Sequence, residues 1–334
     1  MAIHQIGILL LNHMFLLLYI KGSLVVKGYM ILIIWSKEII HSNSIESVQM
    51  KKESEMSEKN INYEELADIV IDKLKERTEK KTLELNFINK QPGYMESKIG
   101  GIPFLPVGAE YPVDKNTGKK LHLLVQINFA EMPHLDDFPQ EGILQIFIAD
   151  GDLYGMDIKV GQYQEGWRII FHEDITNPLP IDEVQKMIPE IKEDILLPFE
   201  KIGSSCGISF SESKKIMSVD DCGFDELFDE IIRNELSEED LLGEYWEYPD
   251  EFSNKIYDAC EGTGSRIGGY PYFTQFDCRD KDSEEILLLQ LDSFFIDDKW
   301  FLLWGDSGVA NFFITQEDLR NRNFDNVNYN WDCM

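Results

Sequence analysis

Ser97-Lys98-Ile99-Gly100-Gly101-Ile102-Pro103-Phe104 returns 168 residues later as Ser265-Arg266-Ile267-Gly268-Gly269-Tyr270-Pro271-Tyr272. Two further blocks repeat in the same order. Leu123-Leu124-Val125-Gln126-Ile127-Asn128 matches Leu287-Leu288-Leu289-Gln290-Leu291-Asp292. Gly142-Ile143-Leu144-Gln145-Ile146-Phe147-Ile148 matches Gly308-Val309-Ala310-Asn311-Phe312-Phe313-Ile314. The offsets of 168, 164 and 166 nearly agree, so the chain reads as two similar halves, about 97–148 and 265–314, and not as an array of short repeats. Each half runs from a basic residue through a Gly-Gly turn and a Pro-aromatic step to a buried strand carrying Gln, then to a second strand opened by Gly. The expected fold is α+β: an internally duplicated, mixed or antiparallel sheet with peripheral helices.

The flanking sequence supplies the other elements. Tyr63–Lys80 has helical spacing at Leu66, Ile69, Val70, Lys73 and Leu74, with Asn62 as N-cap. Glu76–Lys81 is charged and reads as solvated. Leu121–Asn128, Gly142–Ala149, Trp167–Phe171, Ile202–Phe210, Glu285–Asp292, Trp300–Trp304 and Val309–Ile314 read as extended. Ile181–Leu197 is helical in pattern, with Pro189 forcing a kink or a break. Thr315 and Asp318 open a short helix, and the aromatic tail 328–334 is expected to dock.

The chain has 334 residues, 43% of them hydrophobic, which is enough for a substantial core. Its net charge of -30 repels phosphate backbones, so no nucleic-acid partner is expected. Residues 1–49 stand apart. They carry three lysines against two glutamates, and two apolar runs, Ile6–Ile20 and Leu24–Trp35, each too short for a bilayer span. Translation from a start assigned too early, with true initiation at Met50 or Met56, is the expected explanation. A membrane anchor and a signal peptide are the alternatives, and a membrane enters only if this segment is real. The domain is expected to occupy about 60–334.

Few residues offer chemistry. Cys206, Cys222, Cys260, Cys278 and Cys333 include no C-x-x-C, and are expected as free thiols in a reducing cytoplasm. Gly305-Asp306-Ser307-Gly308 spells a serine-protease segment, but it continues with Val309-Ala310 and lacks a histidine in a matching context. It reads as a turn entering a strand. Gly262–Gly269 lacks the Lys-Ser/Thr of a phosphate loop. Asp277, Arg279, Asp280 and Asp282 read as a salt-bridged loop, or as a polar site with Arg266 and Asp306. Glu173 and Asp174 beside His172 read as a strand end, with a divalent-ion site as the alternative. No catalytic residue, metal ligand or cofactor is assigned. Residues 220–251 hold fourteen carboxylates against Arg233, with apolar residues at helical spacing, and an acidic helical insert is expected over about 220–260.

The Gly-Gly-Ile-Pro-Phe and Gly-Gly-Tyr-Pro-Tyr blocks, the Gln-bearing strands, Trp304-Gly305-Asp306-Ser307-Gly308 and the terminal Tyr329-Asn330-Trp331-Asp332-Cys333 resemble the bacterial YwqG family of unknown function over about 60–334. The resemblance implies a mixed α/β protein with an internal repeat. It implies no reaction. Members near secreted-toxin genes leave an immunity role open. The leading expectation is a cytoplasmic, non-enzymatic binding protein of the toxin-neutralising kind. It would meet a basic protein through Asp229, Glu230, Glu238, Glu239 and Asp240. The alternative is a small-ligand binder or enzyme, with a cleft between the halves at Lys98, Gln126, Arg266, Gln290, Asp306 and Ser307. The oligomeric state stays open.

Overall fold

Lys80-Lys81-Thr82-Leu83-Glu84-Leu85-Asn86-Phe87-Ile88 alternates along its length, and this alternation gives it two faces. Leu83 and Leu85 are buried on one face, while Glu84 and Asn86 stand on the other. In the computed structural model this stretch is the first strand, β1 (Lys80–Ile88). The structure describes residues 61–334 apart from 157–163, 191–193, 200 and 202. The expectations for residues 1–49 lie outside them.

Helix α1 (Tyr63–Thr78) precedes β1. The further strands are β2 (Lys98–Gly100), β3 (His122–Asn128), β4 (Ile143–Ile148), β5 (Trp167–His172), β6 (Ser205–Lys215), β7 (Arg266–Ile267) and β8 (Glu285–Asp292). Then come β9 (Phe294–Ile296), β10 (Lys299–Leu302), β11 (Val309–Thr315) and β12 (Asn328–Asp332). Ten of these form one sheet in the order β12-β11-β8-β7-β1-β6-β2-β3-β4-β5, and β9 and β10 make a separate hairpin. Every strand pairing among the described residues is antiparallel.

The sheet curls until its two ends share one core. Trp167 on β5 meets Tyr329 on β12 edge-on at 5.3 Å and Phe312 on β11 at 6.0 Å. Phe171 meets Phe324 at 5.4 Å, and Gln164 Nε2 donates to the Phe324 carbonyl at 2.7 Å. Leu83, Leu124, Ile146, Leu289 and Phe312 belong to this same cluster. Curling buries the apolar face and draws both sheet edges together, which limits the exposed edge.

A helical layer of α1, α3 (Phe224–Arg233) and α4 (Asp250–Ala259) forms beside it. Phe224, Phe228, Ile231 and Ile232 are buried on α3, and Phe252 and Ile256 on α4. On α1, Leu66, Val70 and Leu74 face inward as expected, Ala67 joins them, and Ile69 is 37% exposed. Two further differences are physical. Lys80, expected to end the first helix, opens β1 with Lys81, because strand pairing with β6 decides their backbone, and both side chains are exposed as expected. The helix expected from Ile181 is short, α2 (Ile181–Met187), and stops ahead of Pro189 as a proline requires. The last helix, α5 (Gln316–Arg320), is capped by Thr315 Oγ1 accepting from Asp318 N at 3.1 Å. No helix among the described residues is long and apolar enough to cross a membrane.

Arg279 ties the helical layer to the sheet. Its side chain, 6% exposed, lies 2.8 Å from Asp221 Oδ2 and 2.6 Å from Asp277 Oδ2, and both carboxylates are buried with it. It also donates to the Glu285 carbonyl at 2.9 Å and stacks 4.6 Å from the Phe313 ring centre. Removing the cation would leave two buried carboxylates without their counter-charge. Arg279→Met should therefore cost about 3–5 kcal/mol, measured as the shift in urea midpoint. A loss below about 1 kcal/mol would mean that the pair behaves as a surface ion pair.

Candidate functional site

Two buried amide clusters stand on the outer face of the sheet. In the first, Gln126 of β3 is fully buried. Its Oε1 accepts from Phe104 N at 2.8 Å, and its Nε2 donates to the carbonyls of Tyr94 and Glu96 at 3.1 and 2.9 Å. In the second, Gln290 Oε1 accepts from Tyr272 N at 2.7 Å, and its Nε2 donates to the Gly262 and Gly264 carbonyls at 2.9 and 2.6 Å. One strand further out, Gln145 Nε2 donates to the Phe104 carbonyl and Asn311 Nδ2 to the Tyr272 carbonyl, both at 2.8 Å. Ser97 Oγ accepts from Asn128 N, and Ser265 Oγ from Asp292 N, both at 2.9 Å. Each amide thus fastens an irregular loop to the sheet, as buried polar groups require.

The glycine pairs serve these loops. Gly100 and Gly101 have φ of +64° and +78°, and Gly268 and Gly269 have +69° and +80°. A Cβ on Gly100 would lie 2.4 Å from the Ser204 carbonyl oxygen, so the turn admits only glycine.

The basic residues lie beside the glutamines. Lys98 is 2% exposed and pairs with Gln126 across the strands; its ammonium donates to the Gly93 and Tyr94 carbonyls at 3.1 and 2.7 Å. Burial draws its pKa down to about 8. Arg266 is 1% exposed, pairs with Gln290, donates to the Tyr270 carbonyl at 3.1 Å and to the Thr263 carbonyl, and lies 3.8 Å from Glu84. Lys98 on β2 and Arg266 on β7 are separated by β1 and β6. At strand spacing that is about 14 Å, so the two residues do not share one pocket. Asp306 is exposed and Ser307 half-buried in the turn closed by Gly308 N on the Trp304 carbonyl at 2.7 Å. Neither hydrogen-bonds to either cluster among the described residues.

None of these six residues lines the three cavities described. The largest, about 340 Å³, opens over Gly207 of β6, with Ile88, Lys90, Glu96, Glu131 and Phe210 around it. Another, about 260 Å³, lies beside Phe276, Met156 and Trp331. Sequence comparison missed Gly207. It lies outside the recurring sequence blocks, so nothing in the sequence marked it. His172 Nε2 lies 3.0 Å from Gln145 Oε1; Glu173 pairs with Arg322, and Asp174 accepts from Thr176 N at 2.9 Å. No group of three metal-ligating side chains occurs among the described residues.

The acidic surface is partly self-paired. Asp229 and Glu238 both meet Arg233, at 2.8 and 3.1 Å, and Glu230 meets Arg77 of α1 at 2.9 Å. Asp240 accepts from Ser237 Oγ at 2.5 Å, and Glu239 lies on the same segment. Beyond α3 a short 3₁₀ turn, Tyr245–Glu247, holds Trp246 at 56% exposure. Glu244 beside it titrates above the usual carboxylate range, first through desolvation and then through the nearby charges of Asp225 and Glu247.

Two outcomes follow. Gln290→Leu leaves three backbone groups without a buried partner, and Gln126→Leu leaves two, because the Tyr94 carbonyl keeps the Lys98 ammonium. At about 1–3 kcal/mol per orphaned group, Gln290→Leu should lower stability by at least about 3 kcal/mol and Gln126→Leu by at least about 2 kcal/mol in urea unfolding. Burial also draws the His172 imidazole down to about 4, against about 6.5 in an unfolded chain. Its contribution is thus present above about pH 6.5 and is lost as pH falls toward 4. His172→Gln should narrow the stability difference between pH 7 and pH 5 by about 1–2 kcal/mol.

A comparison with curated proteins returns no match. Residues 97–333, the span that holds Gln126 and Gln290, match the model of the family described as Domain of unknown function (DUF1963), and the chain belongs to that family.

Proposed function

We propose that this protein is a YwqG-like member of its family, built from two related halves, and that it works as a non-enzymatic binding protein in the cytoplasm. The strand order supports the duplication. Reading β12, β11, β8, β7 and β1 from one end meets β5, β4, β3, β2 and β6 from the other. The registers agree as well. Gly207 pairs with Lys98 and Glu84 with Arg266, while Gly207 pairs with Ile88 and Glu84 with Ser211. A pseudo-two-fold axis then passes through the Asn86–Ser209 pair, and β1 serves the second half as β6 serves the first. Five free cysteines support a reducing compartment.

The binding reading rests on Trp246, exposed on its turn between Glu244 and Glu247, where desolvation and the charges of Asp225 and Glu247 raise Glu244 against the opposing charge of Lys281. An exposed tryptophan among carboxylates suits a basic protein partner. Its apolar contact would supply affinity, and charge would supply approach rate. A basic secreted toxin is the partner class that an immunity role would require.

Affinity capture from the native lysate at physiological salt tests this. The wild-type chain should retain a basic protein that the Trp246→Ala, Glu244→Lys double variant retains at least tenfold less. Capture of nothing, or equal capture by the variant, would refute the acidic turn as the binding surface.

A further inference from the structure

Strand β6 is covered unevenly. Its residues Gly207 to Lys215 all pair with β1, but on the other side only Ser205, Cys206 and Gly207 pair with β2. One further bond, Ile208 N to the Ser97 carbonyl at 3.0 Å, continues that side. Upstream of Ser97 the chain leaves the sheet, because Gln126 Nε2 holds the Tyr94 and Glu96 carbonyls. From Ser209 to Lys215 no strand lies on the β2 side among the described residues.

Antiparallel bonding alternates along a strand, and Ile208 already points to the β2 side. Phe210, Glu212 and Lys214 therefore turn their backbone N–H and C=O groups the same way. None of those groups is hydrogen-bonded on that side among the described residues. Glu212 and Lys214 are exposed, and so are Ser209 and Ser211. An open strand edge of this kind is a template for an added strand.

The edge leads into the cavity of about 340 Å³, which lies where the departing chain parts from β6. Glu96 Oε2 accepts from Gly93 N at 2.7 Å, and Glu131 Oε2 from Ser97 N at 2.8 Å. Among the described residues the second oxygen of each accepts no hydrogen bond, and neither carboxylate is in an ion pair. These two carboxylates against the Lys90 ammonium leave the lining at a net charge of -1. Ile88, Pro92 and Phe210 supply apolar surface for the alkyl stem of a basic side chain.

We infer that the β6 edge takes an extended peptide of a partner protein, added antiparallel to β6, with a lysine or arginine seated in the cavity beside Glu96 and Glu131. Running as β2 runs, the peptide brings its C-terminal end to the cavity and its N-terminal end beside Lys214. Cross-strand pairing then calls for an acidic residue opposite Lys214, a basic one opposite Glu212 and the seated basic one opposite Phe210. Glu212 and Lys214 already meet Lys81 and Glu79, at 2.7 and 2.6 Å, in exposed pairs that exchange at little cost. The net charge of -30 favours such a peptide over a second copy of this chain. This surface is distinct from the acidic turn and does not depend on Trp246.

The probe is acetyl-Glu-Val-Lys-Val-Lys-Val-amide, titrated into the full chain and followed by saturation-transfer NMR. Its charge-reversed control is acetyl-Lys-Val-Glu-Val-Glu-Val-amide. Wild type should bind the probe with a dissociation constant on the order of 0.1–1 mM, and the control at least tenfold more weakly. Glu212→Pro removes an N–H from the open side and no bond to β1. It should lower Tm by less than about 4 °C and weaken probe binding at least tenfold. Glu96→Gln combined with Glu131→Gln keeps both acceptor oxygens and should weaken probe binding at least fivefold. Failure of the probe to saturate, equal binding of the control, or undiminished binding by either variant overturns the site. A larger fall in Tm for Glu212→Pro means that this N–H is bonded within the fold, and overturns the open edge. A wild-type dimer in native mass spectrometry, lost in Glu212→Pro, gives the edge to a second copy and overturns the peptide.

Discussion

Nine consecutive cross-strand pairs, from Lys80 with Lys215 to Ile88 with Gly207, hold the first strand of the chain against the sixth. Everything else in the sheet is arranged about this seam. On one side β6 carries β2, β3, β4 and β5; on the other β1 carries β7, β8, β11 and β12. Without β1 the five strands on one side would face the four on the other across an unsatisfied edge. The seam also brings like charges opposite one another, Lys80 to Lys215 and Lys81 to Lys214. Neighbours answer two of them, Glu212 to Lys81 at 2.7 Å and Glu79 to Lys214 at 2.6 Å.

The seam alone would leave the outer face with long loops and no regular hydrogen bonding. Buried amides solve this. Gln126 and Gln290 hold backbone carbonyls and N–H groups that no strand can reach, and Gln145 and Asn311 extend the row outward. A polar side chain in an apolar strand is costly unless fully partnered. Here the partners are backbone, so each glutamine fixes a loop and satisfies itself together. The Asn311 Oδ1 has no partner among the described residues, whereas Gln145 Oε1 meets His172. The two rows are therefore alike in plan and different in detail.

Much of this was legible before any coordinates. Strands β8 and β11, the turn at Gly305–Gly308 and the cap at Thr315 carry their own local signals: an unbroken apolar run, glycine at both ends of a turn, a hydroxyl three residues before an acceptor-hungry amide. The value of Gln126 and Gln290 was visible from their recurrence, though recurrence could not separate a loop fastener from a ligand contact. Strand β1 was hidden for a clear reason. Its opening lysines resemble the charged end of α1, and its partners β6 and β7 lie far along the chain, so nothing local marks it. Ile69 misled because a residue near the boundary of a helical stripe fits the apolar pattern while facing outward. The cavity over Gly207 was hidden for the same reason as β1, since its walls come from segments far apart in the chain.

The place of β1 in the sheet has a consequence for biosynthesis. The ribosome releases it first, yet β6 ends at Lys215 and β7 only at Ile267. At about 5–20 residues per second, β1 waits on the order of ten seconds for one neighbour and longer for the other. During that interval both of its edges are open, and such long-range pairing folds slowly. The two lysines at its start oppose premature pairing with a sister chain on the same polysome. A nascent chain that stalls between Lys215 and Ile267 completes the seam with β6 but leaves the other edge of β1 without β7. Such a product presents a bare strand edge to proteases and chaperones, so completeness of synthesis is recorded in the burial of the first strand made.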